Sequence, residues 1–185
     1  MKMKRTTKIL LIILAAALLI AAVCAMMPGR NDGSAQDTEQ TAAQPSAPDT
    51  RPALVVERTR AKTGERRVEV IVEVKNNPGI LGIVFDLFYD DSVMTLVEAQ
   101  SELDLDGCVY TSPAYFRNPT TFLWDFQDAN WTEDGTFLKL YFDLSETAPA
   151  GEYPIKIMYS YGNIFDANFD SIDVGVENGY IFITE

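Results

Sequence analysis

From residue 53 onward the chain alternates apolar and polar positions with a period of two, and it does so in short bursts. RVEVIVEVK is the cleanest case: Val68, Val70, Val72 and Val74 fall on one side, and Glu69, Ile71 and Glu73 on the other. An Asn-Asn-Pro-Gly turn at 76–79 ends it. ILGIVFDLFY follows, with Ile83, Phe85, Leu87 and Tyr89 on one face and Gly82, Val84, Asp86 and Phe88 on the other. TFLWDFQ sets Phe122, Trp124 and Phe126 against Leu123, Asp125 and Gln127. Further strands are predicted over 53–59, over VMTLVEA, around CVYTS, and over 136–144, 153–161 and 179–184. Between 144 and 153, Ala148-Pro149-Ala150-Gly151 supplies turn chemistry, and an acidic, exposed loop is expected there. No segment keeps a 3.6-residue period over three turns, and no internal repeat appears. Eight or nine short strands separated by turns predict an all-β sandwich.

Two segments depart from this pattern. MKMKRTTK carries four basic residues, and Ile9 to Met27 is an uncharged apolar run. That arrangement predicts, over 1–27, an export signal or an uncleaved membrane anchor with its basic end inside. Val23-Cys24-Ala25 offers a small-residue cleavage site, and Cys24 is a candidate for lipidation, although Val23 stands where a lipidation motif prefers a smaller residue. Residues 28–52 lack aromatics and large aliphatics, and read as a flexible linker. One domain, 53–185, remains. Localisation outside the cell, tethered at the N-terminus, is the expectation.

Charge and composition then narrow the function. The net charge is −12, and there is no histidine. From Arg51 onward 23 Asp and Glu face 10 Lys and Arg, a difference of −13, so nucleic acid is an unfavourable partner. Histidine-based triads and histidine metal sites are excluded. No nucleophile elbow, phosphate loop or dinucleotide fingerprint is present, and no catalytic set with assignable roles emerges. Cys24 lies in the leader, so Cys108 is expected to be a buried or free thiol without a disulfide.

DGTFLKLYFDLSETAPAGEYPIKI, taken with the opening run from Arg58 to Leu96, with TFLWDF and with VENGYIFI, resembles bacterial cellulosomal cohesin domains in order and spacing over 53–185. The resemblance implies a nine-stranded jelly-roll sandwich. It implies a non-catalytic receptor, acting as a monomer, for a dockerin, a small calcium-loaded helical module of enzymes or scaffold proteins. Calcium would sit in the dockerin, and the chain itself would need no cofactor. Carried over by position, the partner-binding residues are Gly82, Val84, Asp86 and Phe88 on the third strand, Leu123, Asp125 and Gln127 on the sixth, and Tyr115. Gly82 and Val84 stand where many relatives carry Asn or Asp, which suggests a more apolar contact surface. The residues themselves point the same way: Val84, Phe88 and Leu123 fall on the faces that a half-buried strand should turn to water, and a contiguous patch of that kind marks an interaction site.

Two other readings stand beside it. A carbohydrate-binding sandwich would use flat aromatics, for which Tyr115, Trp131, Tyr159 and Tyr161 are available, with Trp124 kept for the core. Asp166, Asn168, Asp170 and Glu177 copy part of a calcium-loop spacing, but Ser171 replaces the turn glycine and the flanks are strand-like. Asp104, Asp106, Asp128, Glu133 and Asp134 read as solvated turns, and no metal site is assigned.

Overall fold

A computed structural model describes residues 50–127 and 130–185. The leader, Cys24 and most of the linker lie outside the described residues, as does Asp128.

All regular structure among the described residues is β. In chain order the strands are β1 (Ala53–Val56), β2 (Arg58–Lys62), β3 (Val68–Lys75), β4 (Gly82–Phe88), β5 (Met94–Ser101), β6 (Cys108–Thr111), β7 (Thr120–Phe126), β8 (Gly135–Leu144), β9 (Gly151–Met158), β10 (Ile164–Phe165), β11 (Gly175–Glu177) and β12 (Gly179–Thr184). They form two sheets. One has the order β11-β1-β3-β8-β5; the other runs β2-β12-β9-β4-β7-β6, with β10 also pairing β4. The sandwich is as expected. The strand count exceeds nine because two runs are interrupted and a short strand, β11, is added.

The first interruption falls inside the run predicted as a single strand over 53–59. β1 pairs antiparallel with β3 in one sheet, whereas β2 pairs parallel with β12 in the other. The chain changes sheets at Glu57, whose N–H donates to the Ile71 carbonyl at 2.9 Å and whose carboxylate accepts the Ile71 N–H at 3.1 Å. Gly179 makes this crossing possible. A Cβ at that position would lie 2.0 Å from the Glu57 carbonyl oxygen, so no other residue fits without moving backbone.

The second interruption falls in the predicted strand 153–161. β9 leaves the ladder after Met158, and its course beside β4 resumes at Asn163, whose carbonyl accepts the Val84 N–H at 2.8 Å. β10 then pairs Ile164 with Ile83 and Phe165 with Gly82. β9 and β10 therefore share one edge of β4, and β7 occupies the other.

The inward side chains follow the alternation. Val68, Val70, Val72 and Val74 are buried against Ile83, Phe85, Leu87, Phe122 and Trp124 from the facing sheet. Trp124 sits at the centre, with ring centroids 4.8 Å from Tyr110, 5.2 Å from Phe137 and 5.7 Å from Phe85. Its indole N–H donates to Ser101 Oγ at 3.0 Å, which satisfies the one polar group that its burial removes from water. A register shift between Val72 and Glu73 lets the adjacent Phe137 and Leu138 of β8 both be buried, which strict alternation would forbid. The join between β8 and β9 differs from the expected loop in one respect: Ala148 is buried, and its carbonyl accepts the Thr63 hydroxyl at 3.0 Å.

Candidate functional site: an open sheet face

The seven-stranded sheet turns its other face outward, and strand register fixes which side chains share a row there. Val84 of β4 lies opposite Leu123 of β7, which lies opposite Thr111 of β6. One row along, Gly82 lies opposite Asp125, and Asp125 opposite Val109. In the other direction, Met158 of β9, Asp86 of β4 and Thr121 of β7 form a row, and the Thr121 hydroxyl donates to the Asp86 carboxylate. Phe88 is paired with Lys156 of β9 and lines a shallow depression with it and Pro154. The predicted residues of the third and sixth strands therefore share one face in adjacent rows.

Their exposure is uneven. Val84, Phe88 and Leu123 are half-buried on the outer side rather than tucked into the core, and Asp125 and Gln127 are exposed. Asp86 is half-buried under its hydrogen bond to Thr121. Tyr115 is 82% exposed, in the connection between β6 and β7. Gly82 is buried because the ring of Phe165 lies across it: a Cβ there would come within 2.3 Å of that ring. At this row the surface group is thus Phe165, which sequence pattern did not single out. A glycine on an otherwise continuous strand, with an aromatic to cover it far along the chain, was the available signal.

Phe165 does not stand alone. Phe169 stacks on it at 5.8 Å with an interplanar angle of 23°. The two belong to a tight hairpin in which Phe165 bridges to Ser171. Asp166 holds that turn: its Oδ1 accepts the N–H of Asn168 at 2.8 Å and of Asp170 at 3.0 Å. The Asp166 carboxylate, first in the calcium-loop spacing, is thus turned onto its own backbone. Glu177, last in that spacing, lies on β11 in the other sheet. No group of three or more carboxylate or thiol side chains suited to a metal occurs among the described residues.

Other candidates resolve differently. Trp131, offered to a sugar platform, is 2% exposed; it exchanges backbone hydrogen bonds with Ile80 and packs on Phe126 and Phe137. Tyr159 is half-buried, its hydroxyl donating to the Val174 carbonyl at 2.6 Å and accepting the Val174 N–H at 2.8 Å. Those two are therefore corrected to structural roles, and only Tyr115 and Tyr161 of the four stand out from the surface. Asp134 holds the turn at 76–77 by accepting both backbone N–H groups, and those bonds, Asn77 first, draw its pKa below the ordinary carboxylate value. Cys108 is a free, half-buried thiol whose pKa is raised by burial and then by Asp125. A raised pKa keeps it protonated and poorly nucleophilic.

Three comparisons bear on what this face belongs to. The family model for the cohesin domain matches residues 52–181. No curated protein matches the chain. Among solved structures, the OlpA cohesin in a type I cohesin–dockerin complex from Clostridium thermocellum is similar at a TM-score of 0.62 and 20% identity, covering 72% of this chain and 99% of that one. The seventh ScaB type I cohesin from Pseudobacteroides cellulosolvens gives 0.60 and 20%, covering 72% and 92%. A non-cellulosomal cohesin from the archaeon Archaeoglobus fulgidus gives 0.61 and 17%, covering 73% and 92%. A two-sheet sandwich with an open outer face, matched over most of its length by the family model, places this chain in the cohesin domain family.

Proposed function

We propose that the domain is a non-catalytic receptor that docks a calcium-loaded dockerin module on the outer face of β4, β6 and β7, outside the cell and held at the membrane by the N-terminal segment. The observation that carries this is the row Val84–Leu123, apolar and outward on a hydrogen-bonded sheet, with Asp86 and Asp125 in the rows on either side. Desolvating Val84, Leu123 and Phe88 against a helix supplies affinity, and the acidic neighbours fix register and exclude acidic partners. Tyr115 and Gln127, both exposed, are assigned to its border on the same reading. Because β4 and β7 are already paired on both edges, the face binds without rearrangement. The solved relative from Clostridium thermocellum was crystallised with a dockerin, which supports the same class of partner here. The carbohydrate reading is the weaker one, because Trp131 and Tyr159 are committed to packing and cannot form a platform.

The test is calorimetric titration of the exported protein against a panel of calcium-loaded dockerins and, separately, soluble oligosaccharides. Saturable binding of at least one dockerin, abolished by a chelator, is expected. Sugar binding with no dockerin binding would replace this reading by the carbohydrate one.

A further inference from the structure

One part of the outer face is not explained by folding. Phe165 has a structural reason to be where it is, since it covers Gly82. Phe169 has none of that kind. Its ring is 76% exposed, and its backbone sits at φ 63°, a left-handed conformation that bulky side chains rarely adopt. The chain thus holds a large apolar ring in water on a conformationally unfavourable residue, a combination that collects at binding sites rather than in scaffolding. Beside it, where β9 leaves the ladder, Tyr161 is 92% and Met158 59% exposed. The two segments touch: a Cβ on Gly162 would lie 3.8 Å from Ser171 Oγ of the hairpin. Met158 is in register with Asp86, and Phe165 covers the residue opposite Asp125, so the group borders the Val84–Leu123 row directly. Of the six exposed large apolar side chains among the described residues, these are three; Val109 lies on the same sheet and Tyr115 in the loop joining β6 to β7.

Charge says what this lobe fits. Residues 158–174 contain no Lys or Arg; of their three aspartates Asp166 is turned onto its own backbone and Asp170 and Asp173 are exposed, and Asp86 and Asp125 flank the segment on the sheet. Lys156 is the sole basic residue on β4, β6, β7, β9 and β10. An apolar ridge rimmed by carboxylates is complementary to a helix whose apolar stripe is bordered by Lys and Arg. We infer that Met158, Tyr161 and Phe169 form a contact lobe that selects among helical partners by gripping an apolar stripe with basic flanks. This rests on the receptor reading above and identifies which part of the surface discriminates.

The test uses the double variant Tyr161→Ser with Phe169→Asn, since asparagine tolerates the left-handed backbone. Thermal stability should be unchanged or raised, while affinity for any dockerin that binds the unaltered protein falls at least tenfold. Unchanged affinity overturns the lobe and leaves the receptor reading intact. If no dockerin binds the unaltered protein, the receptor reading fails, and the lobe is judged by NMR with a synthetic helical peptide carrying a Leu stripe bordered by Lys. Amide shifts confined to residues 158–171, lost in the double variant and absent with a Leu–Glu peptide, support it. No shifts, or equal shifts with both peptides, overturn it.

Discussion

The two sheets are built from the same alternation, yet their outer faces are finished in opposite ways. On the five-stranded sheet the outward residues bond to one another. The Tyr141 hydroxyl donates to Glu69 at 2.8 Å, Arg67 pairs with Glu98 at 2.8 Å while lying 4.7 Å over the Tyr141 ring, and Lys139 pairs with Glu102 at 3.0 Å. Arg66 reaches Asp143 at 2.8 Å, and Asp143 also accepts the Arg67 N–H at 2.9 Å. That face is largely self-bonded, with Val55, Ile71 and Val97 its apolar exceptions. On β4, β6, β7 and β9 the outward positions include Val84, Phe88, Leu123, Val109 and Met158, set among Asp86, Asp125, Thr111, Thr121 and Lys156, with a side-chain hydrogen bond between Thr121 and Asp86. A face that satisfies its own groups has little to offer a partner. A face that leaves apolar rows uncovered gains by being covered.

Several substitutions would break or sharpen this contrast. The largest effect falls on neither face but on the crossing that separates them. Gly179→Ala puts a methyl into the Glu57 carbonyl, and a loss of about 3 kcal/mol or more is expected from the forced backbone shift, read as a collapse of the chemical unfolding midpoint. Next, Val84→Ala, Phe88→Ala and Leu123→Ala together should weaken dockerin binding roughly 100-fold, at about 1 kcal/mol or so per truncated contact, with the cooperative melt retained. Unaltered affinity would remove this face as the site. The corresponding change on the other sheet, Tyr141→Phe with Glu98→Gln, should leave binding unchanged and cost stability by only about 1 kcal/mol, as surface pairs do. The smallest effect concerns pH. The Asp143 pKa is depressed, first by the Arg66 hydrogen bond and then by the Arg67 N–H. A carboxylate of lowered pKa stabilises the fold above its unfolded value of about 3.9, and that contribution is lost as pH falls through the folded value. Asp143→Asn should therefore flatten the acid limb of the stability profile below about pH 4, with no change near neutrality in dockerin affinity.

Much of this was legible in the chain. The valines of β3 and the aromatics of β7 announced their buried side by strict alternation, and the same rule put Val84, Asp86, Leu123 and Asp125 on the opposite face. What escaped were features set by residues far apart in sequence. Nothing in ALVVERT marks Glu57 as a crossing, because the cause is the absence of a side chain at Gly179. β11 is three residues long and is stabilised by parallel pairing with β1. Trp131 looked available because a lone tryptophan in a polar stretch carries no period, and only its bridge to Ile80 draws it inside. Phe165 was unreadable as a surface group for the same reason: its position is defined by the glycine beneath it.

β2 is the end strand of its sheet, and its outward side chains are Arg58, Arg60 and Lys62, with Arg58 5.7 Å from the Tyr180 ring and Arg60 5.2 Å from that of Phe182. An end strand is a template for a second chain, and the usual outcome of leaving one bare is growth into fibres. Here two identical borders brought together would oppose cation to cation along their whole length. Many copies crowded side by side would therefore repel wherever two β2 borders meet.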